Sequence, residues 1–161
     1  MKVFHSSLDS PVGIWRMNAD DVHVLSVELH KTKTFPQDDA NELSSEAVKQ
    51  LSEYFNNERQ SFDLPLDMSS YSPFYQAVWQ QVASVPFGKT KSYSDIAIAL
   101  ENPGAVRAVG LANGKNPFPI IIPCHRIIGK NNSLTGYAYG TDVKEWLLVH
   151  EGSLSLQTRL F

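Results

Sequence analysis

The sequence predicts a two-part chain, an α/β unit followed by a mainly helical one, and three observations carry that expectation. Short apolar, β-branched runs and one helical stretch fill the first 70 of its 161 residues, whereas helix starts and stops dominate the rest. The polar stretch Asp67 to Tyr71 reads as a linker between the two patterns. Charge divides at the same place. Residues 1–70 hold six Lys/Arg against twelve Asp/Glu, a net of −6, and residues 71–161 hold eight against five, a net of +3. The expected domains are therefore 1–70, without catalytic residues, and 71–161.

Val3–Ser6, Val12–Met17 and Val22–Leu29 read as strands, the last two joined by the turn-forming cluster Asn18-Ala19-Asp20-Asp21. Residues 31–42 are polar and form a loop. Leu43, Ala47, Leu51, Tyr54 and Phe55 share one helical face, which predicts a helix from about 43 to 56. Phe62, Leu64 and Leu66 alternate, but Pro65 cannot donate to a ladder and restricts that strand to a sheet edge. His5, His23 and Tyr54 are read as structural.

Ser72-Pro73 is a helix start, with serine as cap and proline at the first helical position, and Phe74, Ala77, Val78 and Val82 turn inward. Val85-Pro86-Phe87-Gly88 ends that helix. Two short helices, Ser94–Leu100 and Ala105–Asn113, flank the turn Glu101-Asn102-Pro103-Gly104, with Gly114 as the stop. Such a pair reads as a helix-turn-helix with Arg107 on its second helix. Lys89, Lys91, Arg107, Lys115, Arg126 and Lys130 form a basic band, opposed only by Asp95 and Glu101 between residues 86 and 140. Local positive charge of this kind draws a phosphate backbone even when the whole chain is acidic.

The only cysteine, Cys124, lies in Ile120-Ile121-Ile122-Pro123-Cys124-His125-Arg126-Ile127-Ile128-Gly129. Pro123 fixes its own φ and extends Ile122, so the thiol is expected on a stiff, extended, apolar-walled ledge. A lone cysteine is most often a small hydrophobe. Here it sits between proline and histidine rather than in an apolar period, and an arginine follows that cannot be buried without a partner. A thiol becomes a nucleophile as its anion, which neighbouring bases and cations favour. After the segment, 129–132 form a turn, and Leu134-Thr135-Gly136-Tyr137-Ala138-Tyr139-Gly140 form a loop able to cover a flat ring. Thr141 caps a last helix through Val143, Leu147 and Leu148, with Glu151 near its end and Gly152 as its stop.

One cysteine excludes an intramolecular disulfide, and the five histidines show no metal-ligand spacing, so no metal is expected. The opening MKVFHSSLDSPVG has no apolar h-region and no run approaches eighteen apolar residues. The expected compartment is the cytoplasm, or the nucleus in a eukaryotic source.

Ile122-Pro123-Cys124-His125-Arg126-Ile127-Ile128, Arg107-Ala108-Val109-Gly110, Asn116-Pro117, Ser92-Tyr93 and Lys144-Glu145-Trp146-Leu147-Leu148 stand in the order and spacing of one family. The chain resembles the O6-alkylguanine-DNA alkyltransferases, densely over 72–152 and in layout only over 1–71. The resemblance implies a small ribonuclease-H-like α/β domain and a helical domain with a winged-helix-like helix-turn-helix entering the minor groove. It implies irreversible, single-turnover transfer of an alkyl group from O6 of guanine, and O4 of thymine, to Cys124, with no cofactor. The partner would be double-stranded DNA containing O6-alkylguanine, and the protein a monomer in solution.

By the same resemblance Arg107 fills the base stack after the damaged nucleotide rotates out, with Ala108, Gly110, Lys115, Arg126 and Tyr93 also at the DNA. Extrusion is physically required, because a stacked, paired base hides its O6 substituent from a protein thiol. His125 acts on Cys124 through a water, Glu151 orients the imidazole, and Asn116 braces the backbone near the thiol. Tyr93 donates to N3 of the guanine. Tyr93, Pro119, Ile127, Tyr137, Ala138 and Tyr139 line the pocket, carbonyls around Cys124 and Ile127 reading the guanine amino group and the Tyr137–Ala138 loop supplying N–H groups to O6. Tyr139 stands where the family usually has glycine, which implies a stiffer loop or a smaller alkyl pocket if that position needs positive φ. Three rival readings keep the residues but change the activity: a binder of damaged DNA without transfer, a helix-turn-helix regulator with an incidental thiol, and a Cys-His hydrolase.

Overall fold

A computed structural model describes residues 1–32, 37–134 and 136–155. Chain contacts separate two compact units, Met1–Ser70 and Tyr71–Phe161. Part of the predicted 31–42 loop and Thr135 of the 134–140 loop lie outside the described residues.

The N-terminal unit is an antiparallel sheet of β1 (Phe4–Ser10), β2 (Gly13–Ala19) and β3 (Val24–His30) in sequence order, with α1 (Glu42–Phe55). Alternation along β2 explains the layering: Trp15, Met17 and Ala19 are fully buried, as are Ala47, Leu51 and Tyr54 of the helix. Asn41 caps α1 reciprocally with Ser44. The sheet's other face is polar, with Asn18 Oδ1 2.6 Å from His5 Nδ1 and Asn18 Nδ2 donating to Ser26 Oγ at 2.8 Å. Val22 is not in β3 but in the preceding turn, where Asp20 Oδ1 accepts from the Val22 and His23 amides. The expected strand over Phe62–Leu66 is corrected to an isolated parallel bridge between Val24 and Leu66. There the Pro65 carbonyl accepts from Val24 and Asp67 donates back, but proline offers no amide to extend the ladder.

The C-terminal unit holds α2 (Pro73–Ala83), β4 (Lys91–Ser92), α3 (Tyr93–Ala99), α4 (Val106–Gly114), β5 (Ile127–Ile128) and α5 (Thr141–His150). Ser72 caps α2 as its sequence requires, accepting from the Tyr75 amide. Trp79 rather than Phe74 is the helix's principal anchor: it is fully buried and its indole donates to the Ala112 carbonyl of α4 at 2.8 Å. Ser92 and Asp95 form a capping box, which starts α3 at Tyr93, one residue before the predicted Ser94. β4 pairs in parallel with β5, a ladder too short for any periodicity to reveal.

Two predicted helix ends are corrected. Gly114 is the last helical residue of α4 and Lys115 follows as its cap, so no left-handed glycine stops that helix. Gly140, at φ 101°, occupies the N-cap of α5, and Thr141 is its first helical residue. Gly152, at φ +79°, does terminate α5 just beyond Glu151.

Candidate active site

The cysteine segment departs from the extended ledge expected of it. Cys124–Arg126 form a single 3-10 turn, entered from Pro123 and leaving into β5. Three residues per turn direct the Cys124, His125 and Arg126 side chains about 120° apart, so each meets a different wall. All three are buried. Upstream, Ile120 holds φ 70°, a left-handed conformation that a β-branched residue adopts only under constraint. The constraint is visible in its burial and in the hydrogen bond from the Ile122 amide to the Phe118 carbonyl that closes the turn around it.

Asparagines fasten this turn to the rest of the domain. Asn116 Nδ2 donates to the Ile122 carbonyl at 2.8 Å while its Oδ1 accepts from the Phe118 amide at 2.9 Å. Asn113, which the sequence reading missed, donates from α4 to the Cys124 carbonyl at 3.2 Å. Its signal was present: it follows Val109 by one helical turn, so it is a polar residue on the buried face of α4.

His125 and Arg126 converge on Glu151. The His125 Nε2 lies 2.7 Å from Glu151 Oε2. Arg126 donates from Nε to Oε1 at 2.7 Å, from one terminal nitrogen to Oε2 at 3.1 Å and from the other to the Val85 carbonyl at 2.7 Å. The Phe87 ring centroid lies 5.7 Å from the guanidinium carbon. Arg126 is therefore corrected from a DNA-facing cation to a buried structural one, its charge matched by Glu151. The basic band retains Lys89, Lys91, Arg107, Lys115 and Lys130, all exposed.

These contacts fix the charge states. Burial alone would raise the Glu151 carboxyl, but hydrogen bonds from His125 and Arg126 and the positive charge of Arg126 outweigh it and hold the pKa at about 2. For His125, burial lowers the pKa below the usual 6.5 and outweighs the opposing pull of Glu151. The imidazole is thus neutral at physiological pH. An ionised Glu151 can only accept, so Nε2 carries the hydrogen and Nδ1 keeps its lone pair. That Nδ1 is buried and has no hydrogen-bond partner among the described residues. Burial pushes the Cys124 thiol above its usual range, while a hydrogen bond from Asn116 and the charge of Lys144 pull it back.

The remaining predicted residues fall in two groups. Tyr93, at the start of α3, is partly buried, and a Cβ on Gly110 would stand 3.9 Å from its ring. Its hydroxyl lies 3.4 Å from where a Cβ on Gly136 would sit. Burial, then the charge of Cys124, keeps its phenol protonated. Pro119 and Ile127 are buried, Tyr137 and Tyr139 partly so, and Ala138 is exposed. The Tyr137 hydroxyl is buried without a partner among the described residues, and burial followed by the charge of Cys124 raises its pKa well above 10. Tyr139 does not adopt positive φ; Gly136 and Gly140 do, and the Tyr139 ring packs edge-on against Tyr137 at 5.9 Å. The Tyr-for-Gly departure costs no backbone strain. Arg107, Ala108 and Lys115 form a separate group exposed on and just after α4.

Both carbonyls expected to read a guanine amino group already accept a protein donor, Cys124 from Asn113 and Ile127 from Lys144 Nζ at 2.6 Å. A carbonyl has a second lone pair, so each can accept another donor.

The domain combines two short helices, α3 and α4, joined by a tight turn with a buried thiol that precedes a carboxylate-bound imidazole in the chain. Sequence comparison narrows this. Residues 73–153 match the 6-O-methylguanine DNA methyltransferase, DNA binding domain, and residues 3–68 match the ribonuclease-like domain of the same enzyme. The chain belongs to the 6-O-methylguanine DNA methyltransferase family. It is 41% identical over 156 residues to the methylated-DNA–protein-cysteine methyltransferase of Methanosarcina acetivorans, covering 94% of this chain and 99% of that one. The crystal structure of Mycobacterium tuberculosis O6-methylguanine methyltransferase superposes with a TM-score of 0.83 at 36% identity, covering 99% of this chain and 100% of that one. The same mycobacterial protein in complex with DNA gives 0.83 at 39% identity over 92% of each chain. The fold class expected from the sequence, a ribonuclease-like α/β domain and a helical DNA-binding domain, is borne out.

Arg126→Ala is expected to lower the unfolding free energy by about 3–5 kcal/mol, because it strands a buried carboxylate. Arg107→Ala is expected to change it by less than about 0.5 kcal/mol. Chemical denaturation of both variants checks this, and equal stabilities would contradict the buried role of Arg126.

Proposed function

We propose that this chain repairs double-stranded DNA by direct reversal, moving an alkyl group from O6 of guanine to Sγ of Cys124. The single observation that carries the mechanism is the buried 2.7 Å contact between His125 Nε2 and Glu151 Oε2. It holds the imidazole in one tautomer and orientation, with Nδ1 the basic atom. Cys124 and His125 are neighbours on a 3-10 turn and diverge, so the thiol proton reaches Nδ1 through one bridging water. The thiolate then attacks the alkyl carbon in line. The Sγ–C bond forms, the C–O6 bond breaks, and its electron pair leaves on the guanine, which is neutralised by one proton. The imidazolium formed on the way is stabilised by the ionised Glu151.

Asn116 supports the thiolate by its hydrogen bond and by bracing the turn. Tyr93, held protonated, is a donor to the guanine ring. Pro119, Ile127, Tyr137, Ala138 and Tyr139 form the pocket walls. Arg107, exposed on α4, fills the stack vacated by the extruded nucleotide, while Ala108 and Gly110 offer the small side chains that close backbone approach needs, and Lys115 meets phosphate. The product is a thioether, which water does not displace, so the protein acts once and needs no cofactor. All of this lies in 71–161, with 1–70 as a companion domain. We place the protein in the cytoplasm as a monomer. No helix among the described residues is long and apolar enough to cross a membrane.

Mixing the protein with duplex DNA containing O6-methylguanine is expected to add one methyl group to the peptide holding Cys124, and none to Cys124→Ala. Methyl on another residue, or catalytic turnover of an ester substrate instead, would overturn the reading.

The rate of transfer is expected to fall as pH drops below 6.5 through the lowered pKa of His125, because protonation removes the Nδ1 lone pair. Glu151→Gln removes the charge that raises that pKa, so the acid limb shifts to still lower pH while the plateau rate falls by about two to three orders of magnitude. A plateau equal to the parent's would remove Glu151 from the mechanism.

A further inference from the structure

Among the described residues, α1, α3 and α5 end in the same way, and α3 does so with a residue ill suited to it. The first residue beyond each cap takes positive φ: Asn57 at 62°, Glu101 at 59° and Gly152 at 79°. Each end is closed by the same pair of backbone hydrogen bonds. The Asn57 and Glu58 amides donate to Tyr54 and Glu53, and the Gly152 and Ser153 amides to Val149 and Leu148. At α3 the Glu101 amide donates to Ile98 at 2.9 Å and the Asn102 amide to Ala97 at 3.0 Å. Glycine and asparagine tolerate this left-handed position, whereas a glutamate there crowds its Cβ against the backbone.

The charge of Glu101 also runs against its surroundings. Between residues 86 and 140 the acids are Asp95 and Glu101. Asp95 is engaged in the capping box of α3, accepting from the Ser92 amide at 2.9 Å. The Glu101 carboxylate is exposed and meets no hydrogen-bond or ion-pair partner among the described residues. It opens the exposed turn that leads into α4, where the Ala105 amide donates to the Asn102 carbonyl at 3.0 Å and Arg107 follows. A helix seated in a groove of DNA brings the turn at its end to the phosphate wall. A strained backbone and an unpaired negative charge thus coincide where phosphate would approach, and strain kept at such a place points to function.

We propose that Glu101 is a specificity determinant: its carboxylate, held at the entry to α4 by the left-handed end of α3, repels the phosphate backbone and shortens the stay on undamaged duplex. The proposal rests on the reading of α4 as the helix that meets DNA. Phosphate contacts from Lys89, Lys91, Lys115 and Lys130 are the same on damaged and undamaged DNA, so they carry no discrimination. A repulsive charge set among them weakens that uniform attraction. Lasting attachment then depends on what damage alone permits, the extruded base in the pocket and Arg107 in the stack.

The test compares the parent with Glu101→Gln, which removes the charge and keeps the backbone constraint, and with Glu101→Gly, which removes both. Glu58→Gln, an exposed site on the N-terminal unit, is the control for net charge. Fluorescence anisotropy follows binding to an undamaged duplex across salt concentrations. Glu101→Gln is expected to bind about three- to tenfold more tightly at low salt, with the gain shrinking as salt rises. Glu101→Gly is expected to match that gain and to raise Tm by roughly 2–4 °C. Glu58→Gln is expected to bind as the parent does. Single-turnover methyl transfer by Glu101→Gln is expected to equal the parent's with damaged duplex alone and to fall several-fold behind it when undamaged duplex is in excess. A Glu101→Gln affinity equal to the parent's at low salt overturns the proposal. An equal gain in Glu58→Gln overturns it too, because the effect would then be one of net charge. A parent that binds no duplex sinks the DNA reading itself and Glu101 with it, an outcome distinct from a parent that binds and variants that bind alike.

Discussion

Everything around Cys124 depends on one buried carboxylate. Glu151 stands at the cap of α5, fixed in place because Gly152 can take the left-handed conformation that ends the helix. Its two oxygens take three donors from two consecutive residues of the cysteine turn. Removing two charges from water costs several kcal/mol per ion, and only good geometry with satisfied hydrogen bonds offsets it. Here the geometry does so, and its consequences run in both directions. Arg126 secures the turn to the Val85 carbonyl, and His125 is locked with its basic nitrogen away from the carboxylate. Gly88 adds a steric condition, since a Cβ there would approach the Glu151 carbonyl to 3.3 Å. One interaction therefore sets both the fold of the active turn and the protonation of its base.

Much of the fold could be read from local signals. Ser72-Pro73, the apolar face of α1 and the Pro-Gly turn between α3 and α4 each state their own conformation, because caps, periodicity and turn chemistry act over a few residues. What failed were elements whose determinants lie elsewhere in the chain. Leu66 became a lone bridge because only Val24 was there to pair with it. The β4–β5 ladder joins residues more than thirty apart over two positions each, and no periodicity can show in two residues. Thr141 looked like a cap, yet Gly140 could adopt the conformation the entry to α5 requires.

The site was legible where chemistry needs a particular residue type. Cysteine between proline and histidine marked Cys124, whereas Glu151 came only through the family resemblance, since a glutamate at a helix end otherwise reads as a solvated residue; the structure joins it to His125. Charge was misread at Arg126, because composition cannot distinguish a cation offered to a ligand from one spent on a buried carboxylate. The same blindness hid Lys144 and Asn113, both polar residues on otherwise apolar helix faces. A polar side chain on a buried face must find a partner. Here the partners are the Ile127 and Cys124 carbonyls, so the two exceptions to each helix's pattern pointed at the active turn.

The central claim is that Glu151 holds His125 as a neutral imidazole with hydrogen on Nε2 and a lone pair on Nδ1. Nitrogen NMR of the His125 ring in the intact protein at neutral pH tests it most directly. The account predicts a protonated Nε2 and an unprotonated, pyridine-like Nδ1, and loss of this tautomer preference in Glu151→Gln. A hydrogen on Nδ1, or an imidazolium at neutral pH, would leave no base to take the thiol proton and would contradict it.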